Sequence, residues 1–396
     1  MDKLFSNIYL ETTGSQEALT QAMDMAIDNG AQSLFVLGCE ADSLCPASFD
    51  VYLKSLAVPV FGGIFPRIVY RNEYFSRGTL VCSLSQAVDV ATFTSLSRPQ
   101  TDFNEVIDRC SPWMEGINAF LILLDGLSKG IDPFIEQLYS ALGSDKSVVG
   151  AGAGSLELVQ KPCLISNEGL LKDAAQVVGL PASLSLGVRH GWKQVAGPFL
   201  VTDSQENFIR TLNYRPAFQV YRENVEALCG ESFSEKAFFD IAKTFPFGME
   251  ILDDEVLIRD PIQVDGDVLV CVGKVPRHTM LYLMQGHSET LIGASAEAAQ
   301  STQRALDCGA RGGCETLLFD CISRILFLGS RFDEELAGVY EALPDKSELI
   351  GALSLGEIAS TTTGRIRFFN KTTVVGAIRL SCANGFDSDA ERGLSR

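Results

Sequence analysis

Short apolar runs alternate with stretches whose apolar residues recur at helical spacing, a pattern that predicts an α/β protein. The same order occurs three times. The first copy opens with the apolar run at Ser33 (SLFVLGC), continues through an amphipathic stretch at Phe49 (FDVYLKSLA), and reaches a second run at Val58 (VPVFGG). Further strands are predicted at Ile64 (IFPRIVY) and Gly78 (GTLVCSL). The second copy opens at Ala119 (AFLILLDG), with a helix at Ile131 (IDPFIEQLYSALG) and a strand at Ser147 (SVVGAGAG). The third opens at Thr316 (TLLFDC), with a helix at Phe332 (FDEELAGVYEAL), a strand at Glu348 (ELIGALSLGEI) and last strands at Gly364 and Thr372. Each copy reads strand, helix, strand ending at glycine, then further strands, which predicts an internally repeated fold. Residues 14–29 and 287–308 read as connecting helices. Residues 95–102 read as a polar linker.

Open α/β sheets hold ligands at the carboxyl ends of their strands, and glycine lets backbone approach a ligand closely. Gly62 and Gly63, Gly152 within the run from Gly150 to Gly154, and Gly351 with Gly356 are therefore candidate ligand-binding positions. The run at Gly150 matches GxGxxG only loosely and no GKS or GKT follows, so no nucleotide is implied. Aligning the copies puts Cys39 and Cys321 at the end of the first strand and Gly126 at that place in the second copy. Gly38, Asp125 and Asp320 precede them. Polar and thiol groups at strand ends can line a shared cavity, and they can equally serve packing.

Charge narrows the partners. The formal net charge is −18 over 396 residues, which opposes non-specific binding to nucleic acid or anionic lipid. No run approaches the ~18 apolar residues of a membrane-spanning helix, and the first residues do not read as a secretory leader. A cytoplasmic location is expected, with the 11 cysteines as reduced, mostly buried thiols.

Catalytic patterns are sparse. There are 3 histidines, and neither GxSxG nor HExxH occurs. His190 follows an apolar strand and stands beside Trp192, so the pair could face a cavity. A haem iron would need an axial ligand such as His190, His278 or His287, and the absence of CxxCH excludes covalent attachment. A Cys-dependent enzyme would draw on Cys39 or Cys321 with Arg324 and Glu357, unless Arg324 and Glu357 form a structural ion pair.

The motifs in the last third are Phe319-DCISR, with Cys321 and Arg324, then Gly351 with Gly356-Glu357, then Asn370 and Thr372 on a final strand. Together they resemble the C-terminal domain of the FIST family (F-box and intracellular signal transduction). Ser33-LFVLGCE, Val60-FGGIFPRIVY, Val148-VGAGAG and the joining run Gly187-VRHGWKQVAGPFLVTD resemble its N-terminal domain. The resemblance implies an N-terminal FIST domain over 1–215, a C-terminal one over 216–382 and a flexible tail over 383–396. The two would pack around a ligand cavity. It further implies a stand-alone, non-enzymatic sensor of bacterial signal transduction. Relatives suggest haem as cofactor and nitric oxide as signal, and of the three histidines His190 is the first candidate for the metal ligand. A different small molecule, such as an amino acid, is the alternative. On the same resemblance, the ligand site would draw on His190, Trp192, Gly62, Gly63, Gly152, Cys321, Arg324, Gly356 and Glu357. The partner would be a histidine kinase, or a diguanylate cyclase or phosphodiesterase, with a homodimer left open.

Overall fold

Long apolar runs become strands buried on both faces, and amphipathic stretches become helices lying on one face of a sheet. The computed structural model describes residues 3–42, 44–251, 256–306, 314–344 and 348–380, and in it three units follow one order. The first comprises β1 (Phe5–Glu11), α1 (Gln16–Asp28), β2 (Ser33–Cys39), α2 (Pro46–Ser55), β3 (Val60–Phe65), β4 (Arg67–Tyr70), β5 (Glu73–Phe75) and β6 (Thr79–Leu84). The second comprises β7 (Val90–Thr94), α3 (Asn104–Met114), β8 (Ala119–Asp125), α4 (Ile131–Leu142), β9 (Ser147–Ala153), β10 (Leu164–Ser166), β11 (Gly169–Leu171) and β12 (Ala174–Leu180).

The third unit opens with β13 (Ala182–Arg189) and then carries an insertion that the sequence reading did not separate. It contains β14 (Lys193–Gln205), β15 (Phe208–Leu212), β16 (Arg215–Pro216), α5 (Ala217–Cys229), α6 (Phe238–Ala242) and β17 (Phe247–Glu250). It ends with β18 (Val256–Arg259), β19 (Pro261–Asp265), β20 (Val268–Cys271) and β21 (Met280–Gln285), and its strands form an eight-stranded sheet of their own. The unit resumes with α7 (Ser288–Leu306), β22 (Glu315–Cys321), α8 (Ile322–Leu328), α9 (Phe332–Glu341) and β23 (Leu349–Ser354). It closes with β24 (Glu357–Ser360), β25 (Ile366–Phe369) and β26 (Thr373–Leu380).

The three units build three six-stranded sheets with one topology. β2, β8 and β22 are central. They pair in parallel with β3, β9 and β23 and antiparallel with β6, β12 and β26. The hairpin that follows each parallel pair leaves its own sheet. β4–β5 of the first unit extends β23 of the third. β24–β25 of the third extends β9 of the second, and β10–β11 of the second extends β3 of the first. The exchange is cyclic, so no unit completes a sheet alone.

Side chains alternate between the two faces of a strand, and the core follows that alternation. Phe35 and Leu37, Leu121 and Leu123, and Leu317 and Phe319 point into one shared core between the sheets. Leu34 and Val36 face α1 and α2. Phe120 and Ile122 face α3 and α4, and Leu318 faces the helices of the third unit. Gln176, fully buried on β12, joins two sheets. Its Oε1 accepts the Gly62 N–H (3.2 Å) and its Nε2 donates to the Ile165 carbonyl (3.0 Å).

The expected placing of the glycines in strand-end turns is corrected. Gly62, Gly150 and Gly351 lie inside β3, β9 and β23, beside Val36, Ile122 and Leu318. A Cβ at these three positions would stand 1.9, 2.0 and 1.9 Å from the neighbour's carbonyl oxygen. Three separate glycines thus answer one requirement, the close approach of the parallel pair. Eight described cysteines carry free thiols, as expected, whereas Cys314 is disulfide-bonded. The tail proposed for 383–396 lies outside the described residues.

Gly150→Ala should lower stability by about 1–3 kcal/mol through overpacking, read from the urea midpoint. A loss under ~0.5 kcal/mol, the scale of a neutral surface change, would show that the parallel pair has room for a side chain.

Candidate functional site

The carboxyl end of β22 closes on a buried polar cluster. Arg324, fully buried on α8, is chelated by Glu335 of α9, with Nε to Oε1 at 2.9 Å and Nη2 to Oε2 at 2.7 Å. Its Nε also lies 3.2 Å from Asp320. Nη1 donates to the His190 carbonyl (2.7 Å) and Nη2 to the Leu291 carbonyl (3.0 Å). An Arg324–Glu357 ion pair is therefore replaced by Arg324 with Glu335 and Asp320. Removing one partner of such a buried group costs roughly 3–5 kcal/mol, so the cluster fixes the packing of α7, α8 and α9.

Glu357 lies in the same buried region but has other partners. Its Oε1 accepts from Ser354 Oγ (2.7 Å) and its Oε2 from the Thr372 N–H (3.4 Å). Burial pushes its carboxyl up to about 8, against the opposing pull of these bonds and of Cys321. Burial also raises the Cys321 thiol, and it pushes Cys39 up to about 12. Neither sulfur is a thiolate at neutral pH, which leaves a Cys nucleophile without support.

His190 and Trp192 join this cluster through backbone and ring contacts. The Trp192 N–H donates to His190 Nδ1 (3.0 Å), and Trp192 Nε1 donates to the Lys371 carbonyl (3.0 Å). The buried Lys371 ammonium lies 4.9 Å from the Trp192 ring centroid and 3.0 Å from Asp260, tying the insertion to the third unit. Burial, with the positive charge of Arg324, holds the His190 ring down to about 4, so it is neutral. With Nδ1 accepting, its proton sits on Nε2. Iron at Nε2 needs that nitrogen's lone pair and the proton on Nδ1 instead. His190 as placed does not fit an axial haem ligand.

A cavity of about 280 Å³ lies elsewhere, at the seam between the first and second units. The ends of β2 and β8 bring Cys39, Glu40, Asp42 and Asp125 to its wall, and Lys161 and Cys163 come from the segment leading into the exchanged hairpin β10–β11. Asp42 is held by the N–H groups of Gly78 (2.7 Å) and Cys39 (3.2 Å). Asp125 accepts from Leu127 N–H (3.0 Å), Asp173 N–H (2.8 Å) and Gln160 Nε2 (2.7 Å). Glu40 accepts the Leu156 N–H (2.9 Å). Among the described residues, none of these three carboxylates has an ion-pair partner within 4.0 Å. Lys161 instead contacts Glu157 (2.6 Å). Ile64, Leu44, Leu127 and Leu170 supply apolar wall.

The candidate residues thus fall into two groups. Trp192, Cys321, Arg324 and Glu357 meet in the buried cluster, with the half-buried His190 at its edge. Gly62, Gly63, Gly152 and Gly356 are packing and pairing positions, with Gly152 and Gly356 joined by a backbone bond of 2.8 Å. None of the nine lines the seam cavity. The strand-end positions Cys39 and Asp125 do, with a corrected register. Cys39 pairs with Phe65, Asp125 with Ala153 and Cys321 with Ser354, so Asp125 and not Gly126 is the second copy's equivalent. Glu40, Asp42 and Lys161 were missed. The signal for the first two was the acidic pair immediately after β2.

Residues 49–215 match the family model of the FIST N domain, and residues 217–360 match that of the FIST C domain. The two matches meet within the insertion, at β16. No curated protein matches the chain.

The raised Glu357 carboxyl has a consequence for stability. The folded state keeps its proton between the ordinary value of 4.5 and about 8, where the unfolded state loses it. The contribution is therefore complete below 4.5 and is lost as pH rises through 8. In Glu357→Gln the fall in urea midpoint from pH 5 to 8.5 should be shallower than in the parent. Equal slopes would mean that Glu357 is ionised in the folded protein.

Proposed function

The chain belongs to the FIST family, whose domains are associated with sensing in signal transduction, and from that premise we propose that it senses a small amine-bearing solute of the amino-acid class. The observation that carries this reading is the seam cavity with Glu40, Asp42 and Asp125 in its wall. A carboxylate has room for about four hydrogen bonds, and Glu40, with one protein donor, and Asp42, with three, keep acceptor capacity for a ligand. A ligand ammonium supplies the missing charge. Lys161 can turn from the exposed Glu157 to a ligand carboxylate, and the apolar wall receives a side chain. The volume is at the small end for ligand sites, which run from about 300 Å³.

The output follows from the same residues. The Leu156 N–H hangs on Glu40, so a ligand that draws on Glu40 shifts the segment after β9. A conformational change needs a ligand that interacts differently with two states, and this bond is the place where such a difference arises. The reader is a separate signalling enzyme of the histidine-kinase or cyclic-di-GMP class, as family resemblance implies. Haem has no support at His190, and the function proposed needs no catalytic step.

A thermal-unfolding screen of amino acids and simple amines tests this. A ligand at 100 times its Kd adds roughly 2.7 kcal/mol of stability, so at least one amine-bearing compound should raise the melting temperature. Glu40→Gln should weaken that compound about tenfold or more. Lys161→Met should weaken the amino acid and spare the matching amine. No response to any amine, or a response that Glu40→Gln leaves intact, would overturn the reading. A Soret band that vanishes in His190→Ala would return it to haem.

A further inference from the structure

A second cleft, of about 270 Å³, lies between the exchanged hairpin β4–β5 and α8. The repeat generates it as it does the seam cavity. Tyr74 pairs with Val69 in β4–β5 as Leu170 pairs with Ile165 in β10–β11. Arg67 precedes Ile68 as Cys163 precedes Leu164, and Ile322 follows Cys321 as Glu40 follows Cys39. Leu170, Cys163 and Glu40 line the first cavity; Tyr74, Arg67 and Ile322 line the second. The same framework thus presents opposite chemistry.

We infer that this cleft is a second binding site, and that it takes a small monocarboxylate with an apolar body. Among the described residues the Arg67 guanidinium makes no ion pair and donates no hydrogen bond, although the chain carries a net charge of −18. It stacks on Tyr74, with Cζ 5.0 Å from the ring centroid. That stacking holds a planar fork whose geometry matches a carboxylate. Tyr74 and Ser330 add hydroxyls to the lining, while Ile325, Leu326 and Leu156 are apolar. One cation suits a monoanion better than a phosphate dianion. The apolar walls select against small inorganic anions, which could bury nothing there.

The two sites share a boundary, since Ser155 lines the first cavity and Leu156 the second. The assignment of the second site does not rest on what fills the first. Phenylacetate and the uncharged phenylacetamide serve as probes in calorimetric titrations of the full chain. Phenylacetate should bind, and phenylacetamide should bind at least about tenfold more weakly. Arg67→Gln should erase the preference for the acid. Ser330→Trp, at an exposed rim position, should block the acid with the fold unchanged by circular dichroism, and this arm stands even where Arg67→Gln fails to fold. Lys161→Met, which changes the seam cavity without touching a residue that holds Leu156, should leave phenylacetate affinity within twofold, which separates this site from the seam cavity. Equal binding of acid and amide, no binding of phenylacetate, or phenylacetate binding that survives Ser330→Trp would overturn the inference.

Discussion

Backbone contact between the two strands of each parallel pair is the constraint from which the arrangement follows. At Gly62, Gly150 and Gly351 the chain lies so close to the preceding strand's carbonyl that only hydrogen fits. β3, β9 and β23 also pack against one another around the shared core. Their outer edges must then be filled, and the hairpins that fill them come from the neighbouring unit each time. Removing an edge in this way also removes a surface on which sheets could aggregate. The exchange carries each hairpin across the strand end of the next unit, and clefts form there.

One strand-end position, occupied by Cys39, Asp125 and Cys321, has been put to two uses. In the third unit it is sealed. Arg324, Glu335 and Asp320 fill the space with side chains that bind one another, the Asp320 carboxyl pushed up by burial and by Glu335, and Lys371 with Asp260 binds the insertion over the cluster. A sealed ionic cluster adds shape specificity rather than large net stability. Between the first and second units no such plug stands among the described residues, and the acidic groups line a cavity. The motif residues of the FIST C domain therefore hold the frame, while Glu40 and Asp42 of the first unit and Asp125 of the second stand in the cavity wall.

Much of the frame was legible in the chain. Seven-residue apolar runs such as Ser33–Cys39 and Ala119–Asp125 announce central strands, and the three copies are visible in the order of runs and helices. What local pattern cannot show is partnership at a distance. Arg324 finds Glu335 eleven positions away through a turn between helices, and the hairpin exchange is set by packing between units. A one-residue slip moved the second copy's strand end from Asp125 to Gly126, because aspartate and glycine both favour the turn that follows a strand. The insertion after β13 escaped because its strands carry the same short apolar runs as the repeats. His190 drew attention as a rare histidine beside a rare tryptophan, but its ring accepts the Trp192 N–H and its carbonyl holds Arg324. The glycines were read as ligand approach, and the approach is to backbone.

Amide hydrogen exchange on the full chain, with and without a saturating amine ligand, shows which cavity the ligand fills. Slower exchange is expected at residues 39–42, 44–45, 125–128 and 154–163, with 190–195 and 321–324 unchanged. Protection confined to the insertion or to the surroundings of His190 would contradict the account.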